Sequence, residues 1–169
     1  LKKNGHDNIH WVIVGDGMSR KDVEAVIANR GLSDYFTFEG HHPIDNIPKY
    51  TELADILVGC LVKSNLLEAT IPAKVMSYIA SSKPIVLAMD GEVQELINTT
   101  IQCGYAGSAE DSSALAKNIE KVYTMRLKQR INLGERARVY HLNHLERNIL
   151  LNTMHAFLFD SENSTPNKI

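Results

Sequence analysis

The stretch Thr70-Ile-Pro-Ala-Lys-Val-Met-Ser-Tyr-Ile-Ala-Ser-Ser-Lys-Pro-Ile-Val-Leu-Ala88 decides the fold, because a helix signal runs here directly into a strand signal. Thr70 can cap a helix and Pro72 fits its first turn, so a helix is expected to open here with several backbone N–H groups unpaired. Val75, Met76, Ile79 and Ala80 fall on one helical face, and Ser77 and Ser81 share a neighbouring polar line. Ile85 to Ala88 then forms an unbroken apolar run, as in a strand covered on both faces. Lys74 is out of place in the first turn of a helix. A cation there opposes the helix dipole by about 0.3–1 kcal/mol unless an anion is bound beside it, so the helix start reads as an anion site.

Working outward, the same alternation recurs. Upstream, His10-Trp-Val-Ile-Val14 reads as a strand ending at Gly15-Asp16-Gly17, with Ser19 placed to cap a helix from Arg20 to Asn29. Val23, Val26 and Ile27 make its apolar stripe, and Gly31 closes it. A second strand, Tyr35 to Phe38, runs into Gly40-His41-His42-Pro43, followed by a short helix from Ile47 to Leu53. A third strand covers Ile56 to Val62, and a polar loop, Lys63-Ser-Asn65, leads on to Glu68. Downstream come a helix from Glu92 to Asn98, a strand near Cys103 to Ala106 and a helix from Ser113 to Thr124. Beyond Arg126 only helices are expected, Arg130 to His141 and Leu142 to Phe159, the latter with Leu145, Ile149, Leu150, Met154 and Leu158 at helical spacing. A polar tail over 160–169 lacks periodicity and is expected to be mobile.

Strands alternating with helices imply parallel pairing through crossover connections, hence an open Rossmann-like α/β sheet with helices on both faces and two helices at the C-terminal end. The 169 residues suit one domain over 1–159. Ligands of such sheets sit at the carboxyl ends of the strands. Those ends are Gly15 to Gly17, Gly40 to His42, the loop from Lys63 to Pro72, and Asp90-Gly91, expected to line one crevice.

Composition narrows the class. With 44% hydrophobic and 22% charged residues and a formal charge of −2, the chain is globular and has no global pull toward nucleic acid or anionic lipid. Cys60 and Cys103 fit neither a metal spacing nor a disulfide framework, and read as reduced core or near-core thiols of a cytoplasmic protein. No apolar run reaches the roughly 18 residues of a membrane span. The start at Leu1 leads us to expect a piece of a longer protein. Gly15-Asp16-Gly17 is not a full dinucleotide fingerprint, since Ser19 and Arg20 follow, and a tight strand-to-helix turn explains it. His41 and His42 weigh evenly between a ligand contact and ordinary loop histidines; no third ligand at a recognisable spacing makes them a metal site. Glu68 reads first as solvated, and Glu92 first as a favourable acid in a helix's first turn.

The ordered motifs Val12-Ile-Val-Gly-Asp-Gly17, Phe38-Glu-Gly40, Ala54-Asp-Ile-Leu57, Ile71-Pro-Ala-Lys-Val75, Ser82-Lys-Pro-Ile-Val86 and Asp90-Gly-Glu92 resemble the nucleotide-binding C-terminal domain of GT-B glycosyltransferases, in the large group often called glycosyltransferase family 4. The Ile-Pro-Ala-Lys segment is most similar to the branch that builds bacterial surface polysaccharides, often with N-acetylated amino sugars. The resemblance implies a hexosyl or N-acetylhexosaminyl transfer from a nucleoside diphosphate sugar to a glycan or lipid-linked acceptor, with no metal or other cofactor and no nucleic-acid partner. It also implies that the acceptor domain, a catalytic histidine and the first strand and helix of this domain lie before Leu1. No catalytic residue is then expected here, and these residues alone would not turn over. Peripheral association of the whole protein with the inner membrane is compatible with that branch.

The residues set against the donor by the anion argument and the resemblance together are Gly15, Gly17, Gly40, His41, His42, Glu68, Thr70, Ile71, Lys74 and Ser77. In the family a glutamate one turn into the helix binds the ribose hydroxyls; Ser77 stands in its place here, and the upstream glutamate of that pair falls on Ala69. Ser82 replaces the glycine that usually precedes Lys-Pro. These departures keep a second function open, a degenerate nucleotide-binding or interaction module without turnover. An NAD-dependent Rossmann enzyme or a phospho-acceptor domain fits less well, lacking the glycine fingerprint and an acidic pocket.

Overall fold

Ile85–Ala88 is buried along its whole length and is the middle strand of a parallel sheet. The computed structural model that shows this describes residues 1–160, which divide into two compact units, Leu1–Ala54 and the chain from Asp55 onward. The tail expected over 160–169 lies, beyond Asp160, outside the described residues. Instead of one five-stranded ladder, the strands pair as two parallel ladders, one in each unit.

In the first unit β1 (Trp11–Val14) pairs with β2 (Phe36–Gly40), joined by α1 (Arg20–Asn29) and followed by α2 (Ile47–Leu53). Both helices have the expected bounds. Trp11 and Phe36 stack across the pair with ring centroids 5.8 Å apart. The α1 stripe is only partly inward: Ile27 is buried, but Val23 and Val26 are 42% and 50% exposed. Ser19 occupies the N-cap of α1 without a side-chain cap bond, contrary to expectation; the turn is held instead by Gly17 N–H on the Asp16 carboxylate and Arg20 N–H on the Gly17 carbonyl.

In the second unit β3 (Leu57–Cys60), β4 (Ile85–Ala88) and β5 (Gly104–Gly107) lie in that order. Successive side chains of β4 alternate faces. Ile85 and Leu87, with Met89 just beyond, join Val75 and Ile79 of α4 (Ala73–Ala80), Val93 of α5 (Glu92–Glu95) and Ala137 of α7 (Leu127–Tyr140) in the main core. Helix α6 (Ser112–Tyr123), whose N-cap Asp111 accepts from Ala114 N–H at 2.8 Å, packs on β4 and β5. Two sets of helices therefore hold β4 dry. Ser82 takes a left-handed φ of 56°, and its carbonyl abuts Gly134 of α7, where any side chain would overlap it. Arg138 of α7 donates to the Ala80 carbonyl at the end of α4.

Three helices depart from the expected spans, and one of these, α7, starts at Leu127 and not at Arg130. After α5 the backbone widens into a π turn, Leu96–Thr100, from which Asn98 both donates to and accepts from the backbone of Ala106 in β5. After α7 a π turn, His141–Leu145, ends at Glu146, whose extended backbone breaks the long helix expected over Leu142 to Phe159. Its carboxylate caps Asn148 N–H and starts α8 (Arg147–His155). Leu150, Met154 and Leu158 of the expected stripe are exposed, so core packing does not account for them. Among the described residues no helix is long and apolar enough to cross a membrane.

Candidate functional site

The helix start that opened the sequence argument lies where β3 delivers the chain. A short helix, α3 (Asn65–Glu68), occupies what reads in sequence as loop, and Thr70 belongs to its end: both the Thr70 amide and hydroxyl donate to the Leu67 carbonyl. Thr70 therefore does not cap the next helix. Pro72 stands at the N-cap of α4 and makes no side-chain cap bond, and the Val75 amide turns back to the Pro72 carbonyl at 2.8 Å. The Ala73 and Lys74 amides meet no acceptor among the described residues. Lys74 is exposed and has no ion-pair partner among them, so the opposing dipole is uncompensated.

Lys74 reaches the end of β3 electrostatically. Partial desolvation pushes the Cys60 thiol up, and the Lys74 charge pulls it back down. Cys60 as a whole is exposed, not core, which corrects the reading of both cysteines as inward; Cys103 is buried. Tyr78, one turn beyond Lys74, donates to the Val58 carbonyl of β3. Ser77 points its hydroxyl at the Ala73 carbonyl of its own helix, 3.3 Å away, which leaves only its lone pairs for a ligand. The Glu68 carbonyl lies against Gly91, so the loops after β3 and β4 meet. Glu110 joins them by accepting from the Lys63 amide at 3.4 Å.

The other two strand ends meet in the first unit. Gly15 N–H donates to the Gly40 carbonyl at 2.7 Å. Arg20 is held there by Glu24 at 2.8 Å, with Asp16 at 3.9 Å and the Phe38 ring 5.6 Å from its guanidinium. The Glu24 bond is the main reason its pKa rises further. His41 is exposed, while His42 is half-buried and bonded to Tyr50, which in turn donates to Glu39. Tyr50 titrates above its ordinary value because of desolvation first and the Glu39 bond second. Glu39 entered the sequence argument only inside the Phe38-Glu-Gly40 motif, and Tyr50 only inside the short helix from Ile47 to Leu53. A groove of about 530 Å³ is lined by Thr100, Ile101, Tyr140 and neighbours leading into the amino end of β5, away from the strands' carboxyl ends.

The glycosyl transferases group 1 family matches this chain over residues 1–140. The chain belongs to that family. A curated relative, 2-deoxystreptamine glucosyltransferase of Streptomyces kanamyceticus, is 33% identical over 102 residues, covering 53% of this chain and 26% of the relative. Among solved structures, a glycosyltransferase from Rickettsia africae superposes with a TM-score of 0.78 at 20% identity, over 98% of this chain and 43% of that one. Anabaena Alr3699/HepE in complex with UDP-glucose gives 0.73 at 18% identity, over 92% and 42%. The glycosyltransferase WaaG, involved in lipopolysaccharide biosynthesis, gives 0.70 at 17%, over 94% and 40%. The chain spans less than half the length of each of these proteins. As a group 1 family member it has the Rossmann-like α/β architecture of parallel strands and helices.

Proposed function

We propose that this chain is the donor-binding part of a glycosyltransferase that moves a hexosyl or N-acetylhexosaminyl group from a nucleoside diphosphate sugar to a glycan or lipid-linked acceptor in bacterial surface polysaccharide synthesis. The observation that carries the reading is the start of α4, where two amides and an ammonium group that have no partner among the described residues stand together. A diphosphate supplies the charge that all three lack. As the glycosidic bond breaks, negative charge grows on the departing diphosphate, and donors already fixed in place stabilise that state without reorganising. Lys74 adds a charged contact, Thr70 and Ile71 shape the approach, Glu68 borders it, and Ser77 accepts from a ribose hydroxyl. Gly15 and Gly17 keep their turn tight, and the Gly40-His41-His42 loop meets the base.

Solved neighbours with UDP and UDP-glucose bound support a nucleoside diphosphate sugar as donor. The glucosyltransferase relative supports a hexosyl group. Titration calorimetry with UDP, GDP and UDP-glucose tests the proposal; micromolar binding of one nucleoside diphosphate is expected, and no heat with any of them overturns it.

One observation favours a second reading, a module that binds without turnover. The Ser77 hydroxyl is committed to its own helix, and a serine holds a ribose hydroxyl more weakly than the family's carboxylate. Ser77→Glu separates the two. A large gain in nucleotide affinity favours degeneration, and a loss favours an adapted site.

A further inference from the structure

The loop after β2 carries a ring nitrogen whose hydrogen-bonding role is set by its neighbours. Tyr50 Oη lies 3.0 Å from Glu39 Oε2 and 2.8 Å from His42 Nε2, and Nε2 is itself 3.8 Å from the same carboxylate oxygen. The His42 and Tyr50 rings sit 5.0 Å apart, tilted by 51°. An ionised carboxylate can only accept, so the hydroxyl proton of Tyr50 goes to Glu39 and Oη is left to accept. The group facing Oη is then Nε2, which must carry a proton. Were the hydroxyl turned toward His42, the two oxygens of Tyr50 and Glu39 would face each other with no proton between them. The carboxylate therefore fixes the tautomer: neutral His42 is protonated at Nε2, and Nδ1 is a bare acceptor. Nδ1 makes no hydrogen bond among the described residues, and the His42 side chain is 27% exposed.

We propose that His42 Nδ1 accepts the ring N–H of the donor's base, with Glu39 and Tyr50 as positioning residues that hold the imidazole in that tautomer. This rests on the reading above that the Gly40 to His42 loop meets the base. Uracil, thymine and guanine present a ring N–H on their pairing edge, whereas cytosine and adenine present a bare ring nitrogen there. The geometry thus selects lactam-type bases and repels the other two.

The test is calorimetry of the chain with UDP, N3-methyl-UDP and CDP, together with ¹⁵N imidazole spectra of His42. The native chain is expected to bind UDP about tenfold tighter than N3-methyl-UDP or CDP, the worth of one net hydrogen bond, and to show the Nε2–H tautomer. His42→Ala is expected to bring the UDP to N3-methyl-UDP ratio near one. Glu39→Ala frees the Tyr50 hydroxyl to donate to Nε2, which moves the imidazole proton to Nδ1 and shifts preference from UDP toward CDP. That inversion is not what a merely structural role would give. Should Glu39→Ala fail to fold, Tyr50→Phe removes the acceptor for Nε2–H and is expected to mix the two tautomers and reduce the ratio. A native Nδ1–H tautomer, or a ratio indifferent to His42→Ala while UDP still binds, overturns this inference alone. Failure to bind any nucleoside diphosphate overturns the diphosphate site with it.

Discussion

The Glu68 carbonyl fills the space that a side chain at Gly91 would need, so the end of α3 rests on the backbone just after β4. Gly91 also has a φ of +92°, which L side chains rarely adopt. Gly91→Ala therefore meets both backbone strain and overlap with a carbonyl that cannot rotate away. We expect a loss of about 2–5 kcal/mol in urea unfolding. Because Glu68 borders the start of α4, residual nucleotide binding in the folded variant is expected to weaken as well.

Ser82 pays for a left-handed backbone that glycine adopts freely. Ser82→Gly is expected to stabilise by about 0.5–1 kcal/mol, a rise in Tm of about 1–4 °C for a chain of this size. Its packing partner responds in the opposite way. Helix propensity favours alanine over glycine at Gly134 by about 1 kcal/mol, but the added carbon overlaps the Ser82 carbonyl. The overlap wins, and Gly134→Ala is expected to lose about 1–3 kcal/mol in the same measurement.

Lys74 should show a crossed signature. Removing an uncompensated cation from the first turn of α4 stabilises the ligand-free chain by about 0.3–1 kcal/mol. The same change removes a charged contact to the diphosphate and is expected to weaken UDP about tenfold at low salt. Calorimetry of Lys74→Ala over a salt series checks this, since the deficit should shrink as salt screens the exposed charge. A variant that loses affinity and stability together would point to damaged packing instead.

Cys103 supplies a pH prediction with a definite sign. Burial pushes its thiol from 9.0 up to about 12. The unfolded chain releases this proton near pH 9 while the folded chain keeps it, so the unfolded state binds fewer protons across that interval. Stability is complete below about pH 9 and falls as pH rises toward 12, by at most about 1.4 kcal/mol per unit. In Cys103→Ala this slope is absent, and the stability gap to the native chain should narrow over the same range. Thiol alkylation at neutral pH is expected to reach Cys60 and to spare Cys103 until the chain unfolds.

Much of the scaffold was legible because its signals are local. The bounds of α1 and α2 and the double burial of Ile85–Ala88 follow from periodicity and turn chemistry within a few residues. Thr70 failed for an equally local reason. A threonine between two helices can serve the carbonyl behind it or the amides ahead of it, and the sequence does not rank these; Leu67 receives the bond. The π turns at Leu96–Thr100 and His141–Leu145 differ from ordinary helix by one hydrogen-bond step, too little to disturb an apolar pattern. The Glu39, His42 and Tyr50 cluster was invisible for the opposite cause: it depends on α2 folding back beside the end of β2, which no spacing rule encodes.

Asn98 leaves a mark on how this molecule can be extended. By engaging both the N–H and the C=O of Ala106, one amide side chain imitates a neighbouring strand at that position. The β5 border is thereby blunted against recruitment of a foreign segment or a second copy, a hazard that bare sheet margins carry.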